Sequence, residues 1–145
     1  QRIKTLGYLV KLDTNGCFPK QLKTLVTPGL VDYVAMDVKS SPMHYSKATG
    51  ITDFDFSNVR ESIDFLFTDH VDYEFRTTVV RGLHDKAVLR ETAQLIHGAK
   101  RYFLQKFVDS GNLIDFGMSA FSDDDMKVFL DVVSPYVKTA ALRGL

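Results

Sequence analysis

The sequence predicts an α/β fold built on a parallel sheet, and three observations predict it. Runs rich in β-branched and aromatic residues start near positions 8, 31, 73, 101 and 137, and segments with helical spacing of apolar residues lie between them. Parallel neighbours need a crossover of about a dozen residues or more, which a helix supplies, so strict alternation argues for a parallel sheet. The chain has 145 residues, 45% of them hydrophobic and 12% aromatic, enough for one core and one domain over 1–145.

Taken in order, QRIKTLG reads as the last turn of a helix closed by Gly7, and residues 8–12 as the first strand. Asp13-Thr14-Asn15-Gly16 interrupts that strand. Asn-Gly is a hairpin signal, but Pro19 and the helical spacing of Leu22, Leu25 and Val26 predict a short helix instead of a returning strand. Thr27-Pro28-Gly29 ends that helix, and LVDYVAMDV, residues 30–38, is a strong strand. SSPMHYSKATGITDFDF follows as a loop with at most a short helix.

Ser57 is the expected N-cap of a helix whose Val59, Ile63, Leu66 and Phe67 form one apolar stripe. YEFRTTVV, residues 73–80, is the third strand and RGLHD a turn. Asp85 then caps a helix with Leu89, Ala93 and Ile96 inward, stopped by Gly98. RYFLQKF, 101–107, is the fourth strand, followed by a Gly-Asn-rich loop. Ser122 starts a helix with Met126, Phe129, Leu130 and Val133 inward and Asp123 to Asp125 at its positive end. VKTAALRG, from 137, reads as a last short strand.

Charge excludes some functions. Eighteen Lys and Arg balance eighteen Asp and Glu, so no net field favours nucleic acid or a membrane surface. The single cysteine, Cys17, allows no internal disulfide, and a reducing cytoplasm is the expected location. No stretch has the length of a membrane span, and QRIKTLGYLVKLD has no signal-peptide pattern. The chain lacks an initiator Met and enters a patterned segment at once, which leads us to expect a piece of a longer protein.

Parallel α/β sheets bind ligands beyond the C-terminal ends of their strands. Charged residues collect there: Asp13 after the first strand, Asp37 and Lys39 after the second, Arg76 within the third. The period of two puts Asp37 and Lys39 on one face, and Arg76 on one face with Glu74 and Thr78. Two converging aspartates repel unless a cation, an ammonium group or a metal ion lies between them. Each also has a plain structural reading: Asp13 as turn chemistry, Asp37 and Lys39 as an exposed strand end. His44, His70, His84 and His97 lack metal-ligand spacing and read as surface or capping residues. Cys17 reads as packing, and Phe54, Phe56, Phe65 and Phe67 as core. There is no GxGxxG, phosphate loop or GxSxG.

The stretches KLDTNGCFPKQL, VDYVAMDVKSSPMHY, YEFRTTVVRGLHD and YFLQKF together resemble the radical S-adenosylmethionine enzymes that activate glycyl radical enzymes, of the anaerobic ribonucleoside-triphosphate reductase and pyruvate formate-lyase types. The resemblance implies a partial (β/α)6 barrel with a 4Fe-4S cluster at its mouth. That cluster is held by a CxxxCxxC loop, and a 5′-deoxyadenosyl radical abstracts hydrogen from a glycine on a partner enzyme. It also implies an S-adenosylmethionine pocket lined by Asp13, Thr14, Asn15, Asp37, Lys39 and Arg76. Asp13 and Asp37, with main-chain oxygens near Thr14 and Ala35, are implied to hold a monovalent cation. CxxxCxxC and the Gly-Gly-Glu strand end are absent, and Val108 stands where some relatives have a histidine. The expectation is therefore the C-terminal portion of such an enzyme, from about its third strand, inactive alone for want of the cluster. Two alternatives are a non-catalytic half-barrel that binds a protein or a second copy through its open edge, and a small α/β enzyme using Asp13, Asp37, Lys39 and Arg76 on a phosphate or carboxylate substrate.

Overall fold

The structure, a computed structural model, describes residues 1–109 and 118–145. The Gly-Asn-rich loop falls on 110–117, outside the described residues. The strands are β1 Lys11–Thr14, β2 Tyr33–Asp37, β3 Asp72–Val79, β4 Tyr102–Lys106 and β5 Ala140–Arg143. The helices are α1 Arg2–Thr5, α2 Pro19–Val26, α3 Tyr45–Thr49, α4 Ser57–Phe67, α5 Lys86–Leu95 and α6 Asp123–Val133. Among the described residues no helix is long and apolar enough to cross a membrane.

All four strand pairings are parallel, in the order β1-β2-β3-β4-β5. Crossovers of one hand between strands laid down in sequence deliver every helix to the same face. Burial agrees. Leu22 and Val26 of α2, Ile63 and Leu66 of α4, Leu89 and Ile96 of α5, and Met126 and Phe129 of α6 share one core with Val34, Met36, Phe75, Val79 and Leu104 of the sheet. The opposite face carries Asp13, Ala35, Asp37, Glu74, Arg76, Phe103 and Arg143, aligned by the register pairs Asp13↔Ala35, Asp37↔Arg76 and Arg76↔Phe103. The sheet does not close, so β1 and β5 are its edges and the architecture is a partial barrel.

Several boundaries differ from expectation for one reason: a strand exists only where it has a partner. β1 begins at Lys11, three residues later than expected, because β2 begins at Tyr33 and the two pair from there. Just before that point the Asp32 carboxylate accepts the Val10 N–H at 2.7 Å and the Lys4 ammonium at 2.6 Å, leaving Tyr8 and Leu9 exposed. Asp13 therefore sits inside β1. Ser57 is the first residue of α4 and does not cap it; the Asp55 carboxylate accepts both its N–H and its hydroxyl, each at 2.9 Å. Phe67 and Leu25, expected inward, are each 37% exposed at the rims of their stripes. The Asp85 cap forms as expected, and the helix expected to start at Ser122 does so through a Ser122–Asp125 capping box.

The turn after β1 is wedged onto the core. Gly16 adopts φ +75°, and a Cβ there would lie 2.0 Å from the Met36 Cε. The Ser62 hydroxyl donates to the Gly16 carbonyl at 2.7 Å. Met36 can swing its methyl aside, but the left-handed backbone cannot be avoided, and it costs an L-residue about 1–2 kcal/mol. Gly16→Ala should therefore destabilise the protein by about 2 kcal/mol. A urea melt with an unchanged midpoint would show that the turn is not held as described.

Candidate functional site

The strands bring the expected charged residues together at the C-terminal ends of β1 to β3. Arg76, whose side chain is only 15% exposed, donates from Nε to Asp37 Oδ1 at 3.0 Å, and its guanidinium forms ion pairs with the same oxygen, Nη2 at 2.9 Å, and with Asp13 Oδ1, Nη1 at 2.8 Å. A guanidinium thus occupies the place between the two carboxylates. Lys39 Nζ donates to the other oxygen of Asp37 at 2.9 Å. On the far side, Lys11 Nζ lies 3.8 Å from Asp13 and 3.9 Å from Glu74.

Glu74 extends the row to the floor of the face. Its side chain is 3% exposed, and Arg143 grips it with two parallel bonds of 2.7 and 2.8 Å while the Tyr33 hydroxyl donates at 2.7 Å. The Arg143 guanidinium also stacks 3.6 Å from the centre of the Phe103 ring, a cation–π contact. Burial pushes the Glu74 carboxyl up, but the bonds from Arg143 and Tyr33 and the charges of Arg143 and Lys11 outweigh it, and its pKa is lowered. Burial raises the Tyr33 hydroxyl to about 12, and its bond to Glu74 adds to the shift.

Arg143, Glu74, Lys11, Asp13, Arg76, Asp37 and Lys39 therefore alternate in sign along one row, with one positive charge in excess. Such a row can take a zwitterionic group. Its aspartates suit an ammonium, and Lys39, more than a third exposed at the open end, suits a carboxylate or phosphate. Thr14 and Asn15 serve the turn: Thr14 Oγ1 accepts the Gly16 N–H at 3.1 Å, and Asn15 Oδ1 the Cys17 N–H at 3.0 Å. Asn15, Cys17, Lys39, Tyr45 and Ile51 line a cleft of about 310 Å³ beside the row. Burial pushes the Cys17 thiol up and the Lys39 charge pulls it partly back. Val108 is 71% exposed. Among the described residues no three His, Cys, Asp or Glu side chains are grouped to hold a metal ion.

One site element differs from its sequence reading. His84, expected at the surface or as a cap, is 5% exposed. Its Nδ1 faces the Val80 N–H at 3.0 Å and its Nε2 the Lys39 carbonyl at 2.9 Å. An N–H can be accepted only by an unprotonated nitrogen, so the neutral tautomer with hydrogen on Nε2 is assigned, and that nitrogen donates to Lys39. Burial lowers the pKa of His84, in keeping with a neutral ring. Tyr45, 1% exposed and packed on Phe54 and Phe56, accepts the Lys39 N–H on its hydroxyl at 3.3 Å. His44, His70 and His97 keep peripheral roles, against Ser41, Phe65 and Tyr136.

Comparison with known proteins gives two findings. A Methanocaldococcus jannaschii protein, provisionally named as a glycyl-radical enzyme activating enzyme, is 31% identical over 108 residues, which cover 72% of this chain. The match covers 45% of that protein, so the chain spans about half the length of the curated relative it matches. The crystal structure of a domain of pyruvate-formate lyase-activating enzyme from Bacteroides vulgatus superposes with a TM-score of 0.76 at 16% identity, covering 99% of this chain and 86% of that one. At that identity the likeness establishes the fold. No family model matches the chain. The resemblance to glycyl-radical enzyme activating enzymes read from the sequence is borne out by the curated homologue.

Replacing Glu74 tests the floor of the row. Glu74→Gln should cost about 2–3 kcal/mol, less than the roughly 3–5 kcal/mol for breaking a fully buried pair because Arg143 is partly exposed. Because the folded carboxyl titrates below its ordinary value of 4.5, its contribution is complete above that pH and fades as pH falls through the lowered folded value. Denaturant melts from pH 7 to pH 3 should show the variant losing less stability on acidification than the parent. Parallel curves would show that the ion pair contributes nothing.

Proposed function

We propose, taking as premise the kinship with glycyl-radical enzyme activating enzymes, that residues 1–145 form the C-terminal part of a radical S-adenosylmethionine activating enzyme, from about its third strand onward. The observation that carries this reading is the alternating charge row at the strand ends, which brings together Asp13, Arg76, Asp37 and Lys39, residues the resemblance assigns to the S-adenosylmethionine pocket. In this reading Asp13, Asp37 and Lys39 line the S-adenosylmethionine pocket and Arg76 lies toward the cofactor's sugar and carboxylate, with Thr14 and Asn15 shaping the turn at the pocket's edge. Asp13 and Asp37, with main-chain oxygens near Thr14 and Ala35, can share a monovalent cation once Arg76 turns away from one of them.

A 4Fe-4S cluster does not fit the residues present. It needs a set of cysteine thiolates, and Cys17 is the one cysteine. The cluster is assigned to a CxxxCxxC loop upstream of Gln1, and this chain alone is inactive. In the parent protein the cluster and S-adenosylmethionine would together supply the one-electron chemistry that removes hydrogen from a glycine of a partner, of the anaerobic ribonucleotide reductase or pyruvate formate-lyase type, in the cytoplasm.

Two measurements test the reading. Calorimetric titration of S-adenosylmethionine should show weak binding that falls about tenfold, equivalent to 1.4 kcal/mol, in Lys39→Ala. Binding indifferent to Lys39 sinks the pocket assignment. The coding sequence upstream of Gln1 should contain CxxxCxxC, and a region without it sinks the parent enzyme.

A second reading draws on the outer side of β1. Strand edges are templates for pairing, and Leu6, Tyr8 and Leu9 stand exposed just before this one. As a protein-binding module the chain would pair through that edge with a second copy. Sedimentation equilibrium should then give a dimer that a Leu12→Pro change disrupts, and a concentration-independent monomer removes this reading.

A further inference from the structure

Lys39 stands one residue beyond Val38, where ladder pairing has stopped, so its orientation is not inherited from the sheet. Three elements hold it instead. Val38 donates to the Arg76 carbonyl at 2.8 Å and accepts from the Thr77 hydroxyl at 2.6 Å, which is itself bonded to the buried Tyr102 hydroxyl at 2.7 Å. At Lys39 itself Tyr45 takes the N–H from α3, and His84 donates to the C=O from the turn before α5. Both polar main-chain groups of one loop residue are thus satisfied by side chains that are 1% and 5% exposed. Side chains this buried seldom change rotamer, and the main chain they grip is held with them.

We propose that His84 is a positioning residue for Lys39. Its Nε2–H, with the Tyr45 hydroxyl opposite, fixes the Lys39 main chain so that the ammonium meets Asp37 and a ligand's anionic group without first ordering the loop. The value of such a bracket is pre-organisation: the loop entropy is lost on folding and not again on binding. The positioning claim rests on the reading of Lys39 as a ligand contact only for its effect on affinity. Its effect on the loop stands apart from that reading.

The two ring nitrogens can be tested separately. In His84→Gln the amide nitrogen reaches the place of Nε2 and keeps the bond to Lys39 while losing the one to Val80. In His84→Asn the carbonyl oxygen takes the place of Nδ1, keeping Val80 and losing Lys39. Tyr45→Phe removes the opposite bond and keeps the ring packing, which covers the case that His84→Asn fails to fold. Amide nitrogen relaxation should give rigid order parameters, about 0.85, at residues 38–41 in the parent and His84→Gln, and lower values in His84→Asn and Tyr45→Phe. S-adenosylmethionine affinity should stay within about twofold of the parent in His84→Gln and fall toward the Lys39→Ala level in the other two, about tenfold. Equal effects of the Gln and Asn changes, in step with their melting temperatures, would mean a purely structural histidine and overturn the proposal. If the parent's binding ignores Lys39, the functional reading falls, and the relaxation data alone decide whether His84 positions the loop.

Discussion

Two carboxylates at neighbouring strands repel one another unless a cation lies between them, and the guanidinium of Arg76 takes that place within the chain. The register that sets Asp37 beside Arg76, and Asp13 beside Ala35, brings both acids within reach of one planar fork. Arginine suits the position because it stays charged when largely buried and offers separate N–H groups to each acid. Lys39 and Lys11 extend the row from this arrangement. With Arg76 on the inner oxygens, Lys39 is left with the outer oxygen of Asp37, and Lys11 closes the row between Asp13 and Glu74.

A second constraint is topological. Strands laid down in sequence order, with crossovers of one hand, give the sheet a face that is dry under α2, α4, α5 and α6 and another that carries none of these helices. That uncovered face is where Glu74, Arg76 and Arg143 sit. Parallel strands buried on both sides read as continuous apolar runs. YEFRTTV does not, and its alternation of Phe75 and Val79 with Glu74, Arg76 and Thr78 is the mark of this two-faced sheet.

Much of this was legible in the residues. The alternation of elements gave the order of strands and helices, and the period of two set Asp37 with Lys39 and Arg76 with Glu74. What escaped depended on partners distant in sequence. The start of β1 is decided by Tyr33; α4 is the local exception, where Asp55 takes the N–H and hydroxyl of Ser57 and the helix has no side-chain cap. His84 looked like a turn residue because its two partners, Val80 and Lys39, include one on another loop. Sequence patterning also showed that a cation was needed between the aspartates but could not choose between an ion and Arg76, since that depends on side-chain reach across a register.

The grip of Arg143 on Glu74 joins residues 69 apart and crosses the intervening β4. Bonds of such separation tie the C-terminal strand to the middle of the sheet, and closing so long a loop costs conformational entropy that the contact must offset. Tyr33 and Lys11 reach Glu74 from the β1–β2 side and Arg143 from the β5 side. The acid at the centre of the row thus draws its cations from both ends of the sheet. β5 is thereby a clasp more than a pillar: its loss would spare the fully buried core, which draws no residue from it, and strip Glu74 of its two-pronged partner.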